Sequence, residues 1–214
     1  MLTDYVVIDL EMTGLNVKTD RILEAGAARV RGNVVTATFS EIINPKRKLP
    51  EKVVSLTGIT NEMAVQGKEM DATLMAFLDF IGEDILVGQN VIFDYSFLKQ
   101  WAVNHKRTFE RNAVDTLKLA RKFLPQEQKK DLASLCSYFG IERVHAHRAL
   151  DDVLETQQIF EQLQKMYEAG APEAFRPYPL QYKVKKQSPA TPQQINQAVL
   201  ALMEEGNQWL ASEN

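Results

Sequence analysis

Asp9 and Glu11 stand two residues apart at the end of the apolar run YVVIDL, residues 5–10. In a strand, side chains at i and i+2 leave the same face, so these two carboxylates are held together. Paired carboxylates at an apolar strand end repel one another and call for a neutralising partner. A divalent cation supplies it, because Mg²⁺ prefers a few carboxylate oxygens with water and phosphate around it. Spacing alone would read equally well as two solvated loop acids.

Two further stretches carry similar chemistry. In GQNVIFDYSFL, residues 88–98, Asp94 opens a helix whose next apolar positions are Phe97, Leu98 and Trp101. Taken alone, an Asp in a first turn serves the helix dipole, and Asn90 would serve as a cap. In HAHRALDD, residues 145–152, helix phase separates two adjacent acids. Steps of 4, 7, 11 and 14 from Asp151 reach Glu155, Gln158, Gln162 and Lys165, a polar face. The same steps from Asp152 reach Thr156, Ile159, Leu163 and Met166, an inward stripe. Asp152 is therefore the acid aimed at the interior, where a carboxylate is costly unless paired or metal-bound. His147 precedes it by five residues, about 500° of helix and roughly 140° off its face. His147 is thus expected on a loop or first turn, reaching over the site. His145 and His105 read as surface or capping residues.

The elements that would position these groups follow from periodicity and punctuation. Tyr5–Leu10 reads as a buried strand, and Ile22–Arg31 and Val34–Ile43 as a hairpin about Gly32-Asn33. Helices are expected over Pro50–Leu56, from a Thr60 cap to Val65, and from an Asp71 cap to Gly82. A brief strand, Ile85–Val87, precedes the helix Phe93–Val103. Asp115 caps a helix through Phe123, and Asp131 one through Phe139, ended by Gly140. The longest periodic helix is Ala149–Tyr167. After it, Gly170–Pro192 holds five prolines and reads as a poorly packed connector, before a last amphipathic helix begun by Thr191-Pro192. Early strands followed by alternating helices and short strands indicate an α/β domain with a mixed sheet.

Composition narrows the function classes. With 45% hydrophobic and 25% charged residues, the 214-residue chain is ordinary for a soluble globular protein. No apolar run approaches the roughly 20 residues of a membrane span, and the N-terminus lacks a signal peptide's basic start. One cysteine, Cys136, excludes an internal disulfide and fits a reducing cytoplasm. A net charge of -3 argues against a broad basic nucleic-acid surface, but not against an enzyme that meets phosphates through cations.

At these residues the sequence resembles the DnaQ-like exonucleases of the DEDD superfamily, histidine-bearing (DEDDh) branch. Asp9-Leu10-Glu11-Met12-Thr13-Gly14-Leu15 is similar to the family's DxExTGL. Asn90, Phe93, Asp94, Phe97 and Leu98 match NxxFDxxFL, and His147, Ala149 and Asp152 match HxAxxD. LTGIT at 56–60 and VDTLKLAR at 114–121 are similar to the proofreading epsilon-type subunit or domain of bacterial replicative polymerases. The resemblance covers about residues 4–167. Gln89 departs from it, standing where many members have His, and IDLEMTGL looks more like the oligoribonuclease branch.

The resemblance implies an RNase H-like fold, a mixed five-stranded sheet flanked by helices, over residues 1–168. A Pro-rich connector over 169–191 and a C-terminal amphipathic helix over 192–214 would follow. It implies two Mg²⁺ or Mn²⁺ ions, with Asp9 bridging both, Glu11 and Asp152 completing one site, and Asp94 supporting the other. His147 would act as general base on the attacking water, a role suited to imidazole chemistry near neutral pH. Thr13, Gly14 and Leu15, with Asn90 and Phe93, would receive the 3′ nucleotide. The expected activity is sequence-independent 3′→5′ hydrolysis to nucleoside 5′-monophosphates, with single-stranded or frayed DNA ends as substrate. Alternatives are an exoribonuclease of the RNA-processing or short-oligonucleotide type and a non-catalytic binding module. The C-terminal helix is a candidate for docking a polymerase or another protein.

Overall fold

The opening apolar run forms β1 (Tyr5–Met12), and strand alternation divides its side chains between two layers. Val6, Ile8 and Leu10 enter one core, and Tyr5 and Val7 enter another. The computed structural model describes residues 1–143, 147–167 and 172–185. Met1–Val184 belongs to one compact unit. The expected C-terminal helix at 192–214 lies outside the described residues, as does His145.

β2 (Ile22–Arg31) and β3 (Val34–Ile42) form the expected hairpin. Its turn residues Gly32 and Asn33 have φ of 56° and 64°, the left-handed pair of a tight hairpin turn. Helices α1 (Glu51–Thr57), α2 (Asn61–Val65) and α3 (Met70–Ile81) follow. Then come β4 (Leu86–Gly88), α4 (Ile92–Asn104), β5 (Asn112–Asp115), α5 (Thr116–Phe123), α6 (Leu132–Phe139) and α7 (Ala149–Tyr167). Thr60, Asp115 and Asp131 accept backbone N–H bonds as the expected caps. Asp71 does not. Glu69 caps α3 through Ala72 N–H, and Asp71, in the first turn, accepts from Trp101 Nε1 at 2.9 Å.

The sheet runs β3-β2-β1-β4-β5-β6, β6 being Tyr178–Pro179, with β1, β4 and β5 parallel and the other neighbours antiparallel. Among the described residues it has six strands rather than the expected five. The sixth, β6, pairs with β5 and comes from the stretch expected to be a poorly packed connector. That stretch is anchored there because Phe175 and Leu180 are both buried, one against each layer of the fold.

Helices α3 and α4 cover one face of the sheet, through Leu74, Phe77, Tyr95 and Leu98. Helices α5, α6 and α7 cover the other, through Leu119, Leu135, Val153, Phe160 and Leu163. Phe160 meets Tyr5 edge-on at 5.1 Å between ring centroids. The inward stripe of α7 is as helix phase predicts at Asp152, Thr156, Ile159 and Leu163, while Met166 emerges at the end. Glu155 departs from the predicted polar face: it is 4% exposed, because Arg143 reaches over the helix to pair with it. Among the described residues no helix is long and apolar enough to cross a membrane.

Candidate active site

The acids gather at the carboxyl ends of the parallel strands β1 and β4, the usual place for a ligand in a sheet of this kind. Asp9 and Glu11 share the face of β1 that carries Val7, and so look toward α7. That helix brings Asp152, 5% exposed, on its first turn. Asp94 arrives from the opposite layer, on the first turn of α4, and its Oδ1 accepts Leu10 N–H at 3.0 Å. This bond ties the helix to the strand between the two acids of β1.

Together these groups line an open cavity of about 360 Å³. Its walls are Asp9, Glu11, Asp94, Asp152 and His147, with Leu10, Met12, Leu15, Gln89, Asn90 and Phe93 around them. Glu11, His147 and Asp152 each offer one donor atom, and all three atoms lie within 4.8 Å of one another.

Crowding has an electrostatic consequence. Burial, then the charges of Asp94, Glu11, Asp152 and Glu24, hold the Asp9 carboxyl well above the ordinary range. Burial, then the charges of Asp152, Glu24 and Asp94, push Glu11 up to about 8 against the pull of Arg148. Asp94 is pushed up to about 7 by burial, against the opposing pull of the Leu10 N–H bond. Asp152 is also raised by burial, with Arg143 and His147 opposing. Among the described residues no Lys or Arg lines the cavity, and its donors are hard oxygens plus one imidazole. Such a set fits a divalent cation.

His147 sits on the turn before α7, as its phase relative to Asp152 requires, with φ of 58°. Two features of β2 fix that turn. Glu24, 1% exposed and opposite Glu11 in register, accepts Arg148 Nη2 at 2.9 Å and Ala149 N–H at 3.0 Å. Gly26, opposite Asp9, allows the helix start to close on the sheet. A Cβ there would lie 2.5 Å from the Ala149 carbonyl carbon.

The residues expected to receive a nucleotide divide. Leu15 (74% exposed), Phe93 (41% exposed) and Asn90 line the cavity, and the two large side chains stand at its rim. Thr13 and Gly14 do not line it. The Thr13 hydroxyl accepts Arg21 N–H at 3.0 Å, and a Cβ on Gly14 would strike the Asp20 carboxylate at 2.5 Å. Both therefore shape the loop, in which Asp20 Oδ2 also accepts Asn16 N–H at 2.8 Å. Asn90 adopts φ of 61°, which asparagine tolerates, and its N–H donates to Asp115 Oδ1 at 3.1 Å. The unexpected Gln89 is held by donating to Lys130 O at 2.7 Å.

Sequence reasoning missed Glu24, Asp20 and Arg143. Glu24 carried a usable signal, as the one acid in the apolar stretch Ile22–Ala28. Asp20 and Arg143 lie in irregular segments, where no periodicity points.

Comparison with known proteins agrees with this geometry. Residues 6–160 match the RNase T family, described as exonuclease. Over 157 residues the chain is 38% identical to the DNA polymerase III subunit epsilon of Aquifex aeolicus, covering 73% of this chain and 78% of that one. It is 35% identical over 156 residues to the PolC-type DNA polymerase III of Clostridium perfringens, and spans only 11% of that much longer protein. Among solved structures, Exonuclease X in complex with 5′ overhanging duplex DNA has a TM-score of 0.64 at 20% identity, over 79% of this chain and 96% of that one. The nuclease domain of 3′hExo, a DEDDh family member bound to rAMP, has a TM-score of 0.66 at 18% identity, over 82% and 96%. The chain belongs to the RNase T exonuclease family and is a 3′→5′ exonuclease.

Proposed function

We propose that this exonuclease trims DNA from single-stranded or frayed 3′ ends, releasing nucleoside 5′-monophosphates, in a proofreading or repair setting. The observation that carries the reading is the cavity in which four carboxylates and His147 converge beneath an exposed apolar rim. Mg²⁺ or Mn²⁺, two ions held by Asp9, Glu11, Asp94 and Asp152, would supply charge stabilisation to the attacking and leaving oxygens.

The remaining work falls to the chain's own side chains. An imidazole nitrogen of His147 takes the proton of the attacking water, from a position beside Glu11 and Asp152. Leu15 and Phe93 offer apolar surface to the terminal base, a contact that every base satisfies and that reads no sequence. Asn90 and Gln89 close the wall on the β4 side, both braced from neighbouring segments.

DNA is favoured by the polymerase III relatives, at 38% and 35% identity. The solved neighbours carry titles naming both duplex DNA and rAMP, so the assay needs an RNA arm. Purified protein with Mg²⁺ or Mn²⁺ is incubated with matched 3′-end DNA and RNA oligomers, beside Asp94→Ala. DNA cleaved faster and lost in the variant is the expected result. Faster cleavage of RNA would replace the DNA reading with the exoribonuclease one, and equal cleavage by wild type and variant would remove the site from the mechanism.

Residues 192–214 are proposed as a polymerase-docking helix in the cytoplasm, joined to the body by a connector that begins after the buried Leu180. Truncation after Val184 tests this without removing buried Phe175 and Leu180. Loss of polymerase binding with exonuclease activity retained is expected.

A further inference from the structure

Arg143 is a cation that the mechanism above does not use. Its Nη2 donates to Asp152 Oδ1 at 2.7 Å, and its Nε donates to Glu155 Oε2 at 2.8 Å. The three side chains are 19%, 8% and 5% exposed, so the contact is removed from bulk water. Glu155 follows Asp152 by three residues and so lies beside it on α7. The same Oε2 of Glu155 is also 3.6 Å from the Cys136 sulfur, which fastens it to α6.

We propose that Arg143, gripped by Glu155, is a positioning residue for Asp152. It pins one oxygen of that carboxylate so that the group keeps a fixed orientation toward the cation site. Three observations carry this beyond an ordinary ion pair. First, the guanidinium uses separate nitrogens on separate acids, so Glu155 fixes the fork in the orientation that Asp152 needs. Second, Arg143 and Glu155 together are neutral, so the pair adds direction to the site with little net charge. Third, Asp152 sits on the opening turn of its helix, where a side chain without such a tie would sample several rotamers. Groups that hold a metal-binding side chain in place commonly matter nearly as much as the ligand itself.

This inference rests on the proposed role of Asp152 as a cation ligand, so its test includes that role separately. Mn²⁺ is titrated into full-length protein, followed by calorimetry and by electron paramagnetic resonance. The proteins compared are wild type, Asp152→Asn, Arg143→Lys, and a double variant, Arg143→Met with Glu155→Leu. Thermal melting without metal accompanies each titration. Asp152→Asn should lose Mn²⁺ binding; if it binds like wild type, the ligand assignment fails and this inference with it. The double variant removes a neutral pair of buried charges but leaves Asp152 without its guanidinium partner, so its metal-free melting temperature should fall while the protein stays folded. Its Mn²⁺ affinity should fall about 10–100-fold, with Arg143→Lys in between. Wild-type Mn²⁺ affinity in a folded double variant would overturn the proposal. If the double variant does not fold, Glu155→Gln serves: it loosens the grip on Arg143, and unchanged affinity there overturns the proposal equally.

Discussion

Replacing Glu11 by Gln should stabilise the metal-free protein while disabling it as an enzyme. Burial, then the charges of Asp152, Glu24 and Asp94, push the Glu11 carboxyl from its ordinary 4.5 up to about 8 against the pull of Arg148. A group raised in the folded state contributes stability that is complete below its unfolded value and is lost as pH rises through its folded value. Metal-free wild type should therefore weaken between about pH 4.5 and 8. At pH 7.5 the unfolded chain releases this proton and the folded chain largely keeps it, a difference worth at most about 4 kcal/mol. Glu11 is 9% exposed, so solvent screening removes little of this. The Gln amide must itself find partners in the cavity, which returns about 1–3 kcal/mol. A net gain of about 2 kcal/mol corresponds to roughly 4–8 °C in Tm for a unit of this size. Calorimetric melting in chelator at pH 7.5 and at pH 4.5 measures it. The variant should melt higher at pH 7.5 and lower than wild type at pH 4.5, where the electrostatic gain is gone and the amide cost remains. Added Mn²⁺ should raise the wild type more than the variant and reverse their order. A Glu11→Gln protein that melts lower than wild type at both pH values, by the same margin, would refute the electrostatic argument.

Other perturbations separate chemistry from scaffold. His147→Ala should lower kcat by about 10²–10⁴-fold with Mn²⁺ affinity retained, read by single-turnover cleavage beside a metal titration. Gly26→Ala should cost about 1–3 kcal/mol, because its methyl meets Ala149 backbone rather than a yielding side chain; chemical denaturation measures this. Leu15→Ala should leave Tm unchanged, the side chain being 74% exposed, and raise KM for oligonucleotides more than it lowers kcat.

The site was legible where a repeat of the backbone exposes it. Strand alternation placed Asp9 and Glu11 on one face, and helix phase chose Asp152 over Asp151. The same phase argument misplaced Glu155, since periodicity knows nothing of a cation arriving from another segment. Asp94 and His147 could not be told from capping residues by local rules, and only the order of the three motifs singled them out. Thr13 and Gly14 hold the loop that carries Leu15, tied to Asp20, and do not themselves form the cavity wall. β6 escaped notice because two residues carry no pattern. Its pairing is imposed by Phe175 and Leu180, which find room on the body of the protein.

The two hydrophobic layers that flank β1 are separate, and the acids are drawn from both. Asp94 belongs to the layer of α3 and α4, and Asp152 to the layer of α5, α6 and α7. The proposed pair of cations, joined through Asp9, would therefore rivet the two layers through the sheet. Loading them should slow amide hydrogen exchange in α4 and α7 together, although the two helices pack on opposite faces. Conversely, either layer that loosens takes one ligand with it, so the enzyme would fall silent before it unfolds. A nuclease wired in this way cannot cut while half assembled.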